Sequence, residues 1–110
     1  MKMIKAIINE EHLAGVIDAL YEHEIYGITV TKVLGLGNLN LKQHDKIPTD
    51  LKESVKMEII VSNEHFKQIA IDQIMENAHQ LEHGAGKIFV LDVVEAYRIR
   101  TGERDESALR

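Results

Sequence analysis

The chain has 110 residues, 45% of them hydrophobic and 28% charged, a balance that excludes a disordered polymer and suits one domain, 1–110, burying only a moderate share of its surface unaided. A formal charge of −5 lacks the basic excess that nucleic-acid binding requires, and the absence of Cys removes disulfides, thiolate metal sites and thiol catalysis. No apolar run approaches the ~20 residues of a membrane helix, and charge follows Met1 too soon for a signal peptide, so a cytoplasmic protein without direct membrane insertion is expected.

From Met3 to Ile8 an apolar run broken only by Lys5 has the pattern of a strand with one well-buried face. Leu13, Val16, Ile17, Leu20 and Tyr21 then recur at helical spacing, opposite Glu10, Glu11, Asp18, Glu22 and His23, and predict an amphipathic helix. Gly27 restarts the chain as a second strand, rich in β-branched residues from Ile28 to Leu34 and stopped by Gly35-Leu36-Gly37. Between about 38 and 53 the sequence is polar, holds the single proline, Pro48, and keeps neither period. That length exceeds a tight turn and marks the element expected to move; on length alone a functional loop and a floppy hairpin tip are both open.

Val55, Met57, Ile59 and Val61 alternate with Lys56, Glu58 and Ile60, predicting a third strand paired with the second. Asn63 is placed to cap a second helix that lines Phe66, Ile69, Ala70, Ile74, Ala78 and Leu81 along one face, with Gly84 where a terminator belongs. Lys87 opens a nearly continuous apolar run to Val94, the pattern of a central strand, and a tail from about 97 is expected to be extended over Tyr97 to Thr101 and solvated after Gly102. The order strand, helix, strand, strand, helix, strand is the split βαβ pattern of an α+β, ferredoxin-like βαββαβ domain. Such a sheet carries both helices on one face, so its other face invites self-association.

Four features bear on chemistry. Gly84-Ala85-Gly86-Lys87 is either a phosphate cradle, with glycine amides and an ammonium converging on an anion, or a helix terminator followed by a turn with Lys87 in water. Arg98 and Arg100, two apart in an extended tail, would project together and clamp phosphate oxygens, or else form a surface pair answering Glu95, Glu103 or Asp105. Glu58 reads either as a polar residue on a wet face or as a partner for a ribose or an arginine. His79 and His83, with Glu76 and Glu82 nearby, have the four-residue spacing of a shared metal ion but no third ligand, and helix-end histidines also favour the dipole. No Ser-His-Asp pattern or other local catalytic motif is present.

Taken in order, Gly27-Ile28-Thr29-Val30-Thr31, Gly35-Leu36-Gly37, Gly84-Ala85-Gly86-Lys87-Ile88-Phe89-Val90 and Arg98-Ile99-Arg100-Thr101-Gly102-Glu103 resemble the PII nitrogen regulatory family, as does Met1 to Ile8. The resemblance spans nearly the whole chain outside the central loop. It implies a homotrimer with ATP or ADP in clefts between subunits, magnesium as a companion of ATP, and a loop that docks on a target transporter or enzyme. One wall of each cleft would use Ile7, Gly35, Gly37, Ile60, Gly84, Ala85, Gly86 and Lys87. The neighbouring subunit would supply Gly27, Ile28, Thr29, Glu58, Arg98 and Arg100.

Three departures qualify that expectation. Leu39 and Ser54 stand where members that sense 2-oxoglutarate usually carry Gln and Lys, so that site looks dismantled. The loop is shorter than usual and has no tyrosine between Gly35 and Glu58 to accept a uridylyl group. Ala85 replaces the Asp common in the glycine turn, which puts signalling through that carboxylate in doubt. The expected role is thus a regulatory sensor of ATP and ADP, not an enzyme. A slow ATPase or a trimeric metal-ion-binding protein on the same fold are the alternatives.

Overall fold

The structure is a computed structural model that describes residues 1–36, 51–79 and 86–109. Its elements are β1 (Lys2–Ile8), a 3-10 turn (Glu10–His12), α1 (Leu13–Glu22), β2 (Ile28–Gly35), β3 (Lys52–Val61), α2 (Glu64–Ala78), β4 (Lys87–Asp92) and a second 3-10 turn (Asp105–Leu109). The strands form one antiparallel sheet in the order β2-β3-β1-β4, so β1 and β2, joined through α1, are separated by β3. This is the split βαβ arrangement expected of the ferredoxin-like fold.

Alternation decides which side faces the helices. Ile4, Ala6 and Ile8 of β1 and Val55, Met57, Ile59 and Val61 of β3 are buried, and they close a core with Val16 and Leu20 of α1 and Ala70, Ile74 and Ala78 of α2. Each fully buried aliphatic side chain contributes roughly 1.5–3 kcal/mol, so these two strands and one stripe per helix hold the domain. Tyr21, expected on that stripe, is instead exposed and packs edge-on against Tyr26 with ring centroids 5.1 Å apart. Burial beyond Leu20 passes to Ile25, whose N–H donates to the Leu20 carbonyl (2.9 Å) after Glu24 adopts a left-handed φ of 61°. The Asn63 cap is present: its Oδ1 accepts the Phe66 N–H at 3.0 Å.

Three boundaries differ from expectation. β3 starts at Lys52, because Lys52 and Glu53 pair with Gly35 and Leu34 as a polar hairpin stem, which hydrophobic alternation does not reveal. Leu51, just before β3, is exposed, and the remainder of the expected mobile loop, residues 38–50, lies outside the described residues. β4 is an edge strand, not a central one, and it ends at Asp92; Phe89, Val90 and Leu91 are all exposed on it. A run that is apolar on both faces signals cover on both, and in one protomer no described element supplies it. The tail is not extended either. Tyr97 bridges Arg104, and a turn over residues 99–101 returns the chain on itself.

Candidate functional site

The face of the sheet away from the helices carries no described cover. Pairing register sets its rows. Thr29, Glu58, Lys5 and Phe89 lie side by side across the four strands, and Thr31, Lys56, Ile7 and Lys87 form the next row on the same face. Lys56 Nζ approaches Glu58 Oε1 at 3.9 Å, both side chains about one third exposed or less. Lys5 was legible in sequence only as the polar interruption of an apolar run; the structure seats it between Glu58 and Phe89.

Ile7 and Lys87 are register partners where β1 ends and β4 begins. Just before Lys87, Gly86 has a φ of +99°, and a Cβ built on it would lie 1.8 Å from the Ile7 carbonyl oxygen. Only a residue without a side chain lets β4 start so close to β1. Ile7, Gly86 and Lys87 also line a cavity of about 440 Å³ whose other wall is α2, through Ile71 and Ile74, with His79 just past the helix end. Gly35, paired with Lys52, lies at the same end of the sheet. Gly37, Gly84 and Ala85 lie outside the described residues, as do Leu39, Glu82 and His83, so the expected His79–His83 pair falls there too. Among the described residues no group of three or more metal-binding side chains is found.

Of the other expected wall, Thr29 and Glu58 stand in the neighbouring row of the same face. Thr29 faces Glu58, Ile28 pairs with Ile59 and packs on the core, and Gly27 precedes them with a φ of +72°. Ile60, expected with Ile7, pairs with Met3 near the opposite end of β1 and so sits closer to this second set. Beyond Asp92 the chain leaves the sheet after the Val93 N–H donates to the Met1 carbonyl (3.1 Å). Lys2 joins Asp92 across the β1–β4 pair; the Asp92 carboxylate holds the Lys2 ammonium above its ordinary pKa and is itself held below the carboxylate range.

The tail then builds a hairpin of its own. Arg98 N–H donates to the Glu103 carbonyl and Gly102 N–H to the Arg98 carbonyl, both at 2.8 Å. Asp105 and Ala96 exchange two further bonds, and Arg104 stacks 5.0 Å above the Tyr97 ring. Tyr97 also donates to Glu95, whose carboxylate raises the phenol pKa. Arg98 sits on one limb of the hairpin, with its guanidinium 2.9 Å from Glu103 Oε1, whereas Arg100 lies exposed in the turn. A turn joins them, so their two-residue spacing alone no longer places both on one side. Lys87 opens β4, about 17 Å of strand from Asp92, whereas Arg98 lies beyond β4 in the tail hairpin.

The family model for Nitrogen regulatory protein P-II matches residues 1–103. The chain belongs to the P-II family. It is 42% identical to the nitrogen regulatory protein P-II of Pasteurella multocida, with 99% of this chain and 100% of that protein covered. It is 40% identical to P-II 1 of Escherichia coli K12, over the same shares of each chain, and 39% identical to P-II 1 of Methanothermobacter thermautotrophicus, covering 99% of this chain and 97% of that one. P-II proteins are regulatory signal-transduction proteins rather than enzymes, which gives this chain its general role. No described helix is long and apolar enough to cross a membrane.

Proposed function

We propose that this P-II protein is a cytoplasmic homotrimer that senses ATP and ADP in clefts between subunits and passes the result to a target transporter or enzyme through the β2–β3 loop. The observation that carries the reading is the separation of its cationic groups. Lys87 and the Gly86 approach stand at one end of β4, and the arginine-bearing hairpin stands past the other. A head-to-tail neighbour in a closed heterologous ring would let the lysine of one subunit and the arginines of the next share one anion. Phosphates reward such convergence, because an ammonium and a guanidinium each make charge-assisted bonds to them. The uncovered sheet face, with Met3, Ile60, Phe89 and Leu91 on it, supplies apolar surface for the same assembly.

Competition between ATP, with its magnesium, and ADP shifts the loop only through their differential contacts. Leu39 and Ser54 supply neither the amide nor the ammonium of an oxoglutarate site, so that ligand is not part of the signal. Calorimetry with ATP, ADP and 2-oxoglutarate, on protein whose mass is read by light scattering, tests this. A trimer that binds both nucleotides and ignores oxoglutarate is expected, and Lys87→Ala weakens ADP by about 10- to 100-fold, the worth of one charged hydrogen bond. A monomer indifferent to adenylates overturns the proposal; tight oxoglutarate binding overturns the part resting on Leu39 and Ser54. Pull-downs from native lysate with ATP and with ADP identify the target, which is retained with one nucleotide and released with the other.

A further inference from the structure

Arg98 is held from two sides, by its own hairpin and by the 3-10 turn that follows. Glu103 Oε1 accepts from Arg98 Nη1 at 2.9 Å, and the Ala108 carbonyl receives Nη2 at 3.4 Å. The carboxylate is itself anchored: the Thr101 hydroxyl donates to the same Oε1 at 2.8 Å, and the Glu103 N–H donates back to that hydroxyl at 3.2 Å. Backbone bonds from Arg98 to Glu103 and from Gly102 to Arg98 close the ring beneath them. A mobile counter-ion would need none of this. Such a closed set favours one orientation of the guanidinium plane.

We infer that Glu103, braced by Thr101, is a positioning residue that presets the Arg98 guanidinium for the phosphates of an adenine nucleotide held against a neighbouring subunit. The inference rests on the nucleotide reading above and extends it to residues that touch no ligand. An arginine has several rotatable bonds, and freezing them on binding costs affinity; a guanidinium already hydrogen-bonded within its own chain has less of that cost left to meet. The brace acts on phosphate contacts alone, so the nucleoside part of the ligand does not feel it. If Glu103 were instead a competing internal anion, its removal would strengthen phosphate binding, and the two roles give effects of opposite sign.

The test uses full-length wild type, Glu103→Gln and Thr101→Val, each titrated with ADP and with adenosine, with trimer mass and thermal midpoint recorded alongside. Thr101→Val keeps the Glu103 carboxylate and removes the hydroxyl that anchors both it and the Glu103 N–H, so it reports even if Glu103→Gln folds poorly. Both variants are expected to bind ADP about two- to tenfold more weakly with adenosine binding unmoved, the range for one side chain left to be immobilised. Wild type failing to bind ADP takes down the nucleotide reading and this inference together. Wild type binding normally with both variants unchanged, or binding ADP more tightly, overturns the brace and leaves the nucleotide reading standing. Equal losses for ADP and adenosine also overturn it, since they report general damage to the cleft.

Discussion

Replacing Gly86 by Ala tests the β1–β4 approach and the proposed site at once. The added Cβ falls 1.8 Å from the Ile7 carbonyl oxygen and 2.9 Å from the carbonyl carbon, where ordinary carbon contacts begin near ~3.5 Å. Both atoms are backbone of a strand paired on its two sides, so no side chain can swing away. Two costs combine. A φ of +99° is unfavourable for alanine by about 1–2 kcal/mol, and forcing the overlap apart adds about 1–3 kcal/mol, giving a loss of roughly 2–5 kcal/mol. In urea, followed by far-ultraviolet circular dichroism at one protein concentration, the midpoint should fall by roughly 1 M or more with little change in slope. Gly15→Ala in the same assay is the control: nothing lies within 4 Å of its Cβ and it stands in α1, so the helix gains about 0.5–1 kcal/mol. A Gly86→Ala midpoint equal to wild type would refute the described start of β4, and with it the reason for a glycine beside Lys87.

Ile74→Ala should cost about 2–5 kcal/mol by urea titration, since Ile74 is 1% exposed and leaves a cavity between α2 and the sheet. Asn63→Ala removes the bond to the Phe66 N–H and should lower stability by about 0.5–2 kcal/mol, read as a lower thermal midpoint. Acid should weaken the fold through Asp92 and Glu64, whose carboxyls Lys2 and Lys67 hold below their ordinary values. Depressed pKa values contribute stability that is complete above the unfolded-state value near ~4 and disappears as pH falls through the folded-state values. Urea midpoints of wild type and Asp92→Asn should therefore differ at pH 7 and converge toward pH 2; a gap that stays constant would sink the assignment of the Lys2 pair.

The sequence was most legible where a single period decides placement. Val55 to Val61 alternates so regularly that its buried face could be named residue by residue, and Asn63 announced the second helix through capping chemistry. Family resemblance, not periodicity, carries the reading of the proposed nucleotide site, of which the structure brings Ile7, Gly86 and Lys87 to one rim. What periodicity missed depends on contacts between specific groups. The tail looked extended because nothing in Tyr97 to Thr101 signals a turn; its hairpin comes from Arg98 meeting Glu103 and Asp105 meeting Ala96. β4 looked central because an apolar run does not reveal whether its cover comes from the same chain or from another.

The placement of Lys87 at the start of β4 and of Arg98 in the tail hairpin carries a genetic corollary. In the proposed ring every pocket borrows its lysine from one copy and its arginine from the next, so neither defect is confined to the copy that bears it. Chains carrying Lys87→Ala and chains carrying Arg98→Ala, each crippled when pure, would rescue one another on co-assembly, because any mixed ring must contain a junction where the sound lysine of one faces the sound arginine of the other.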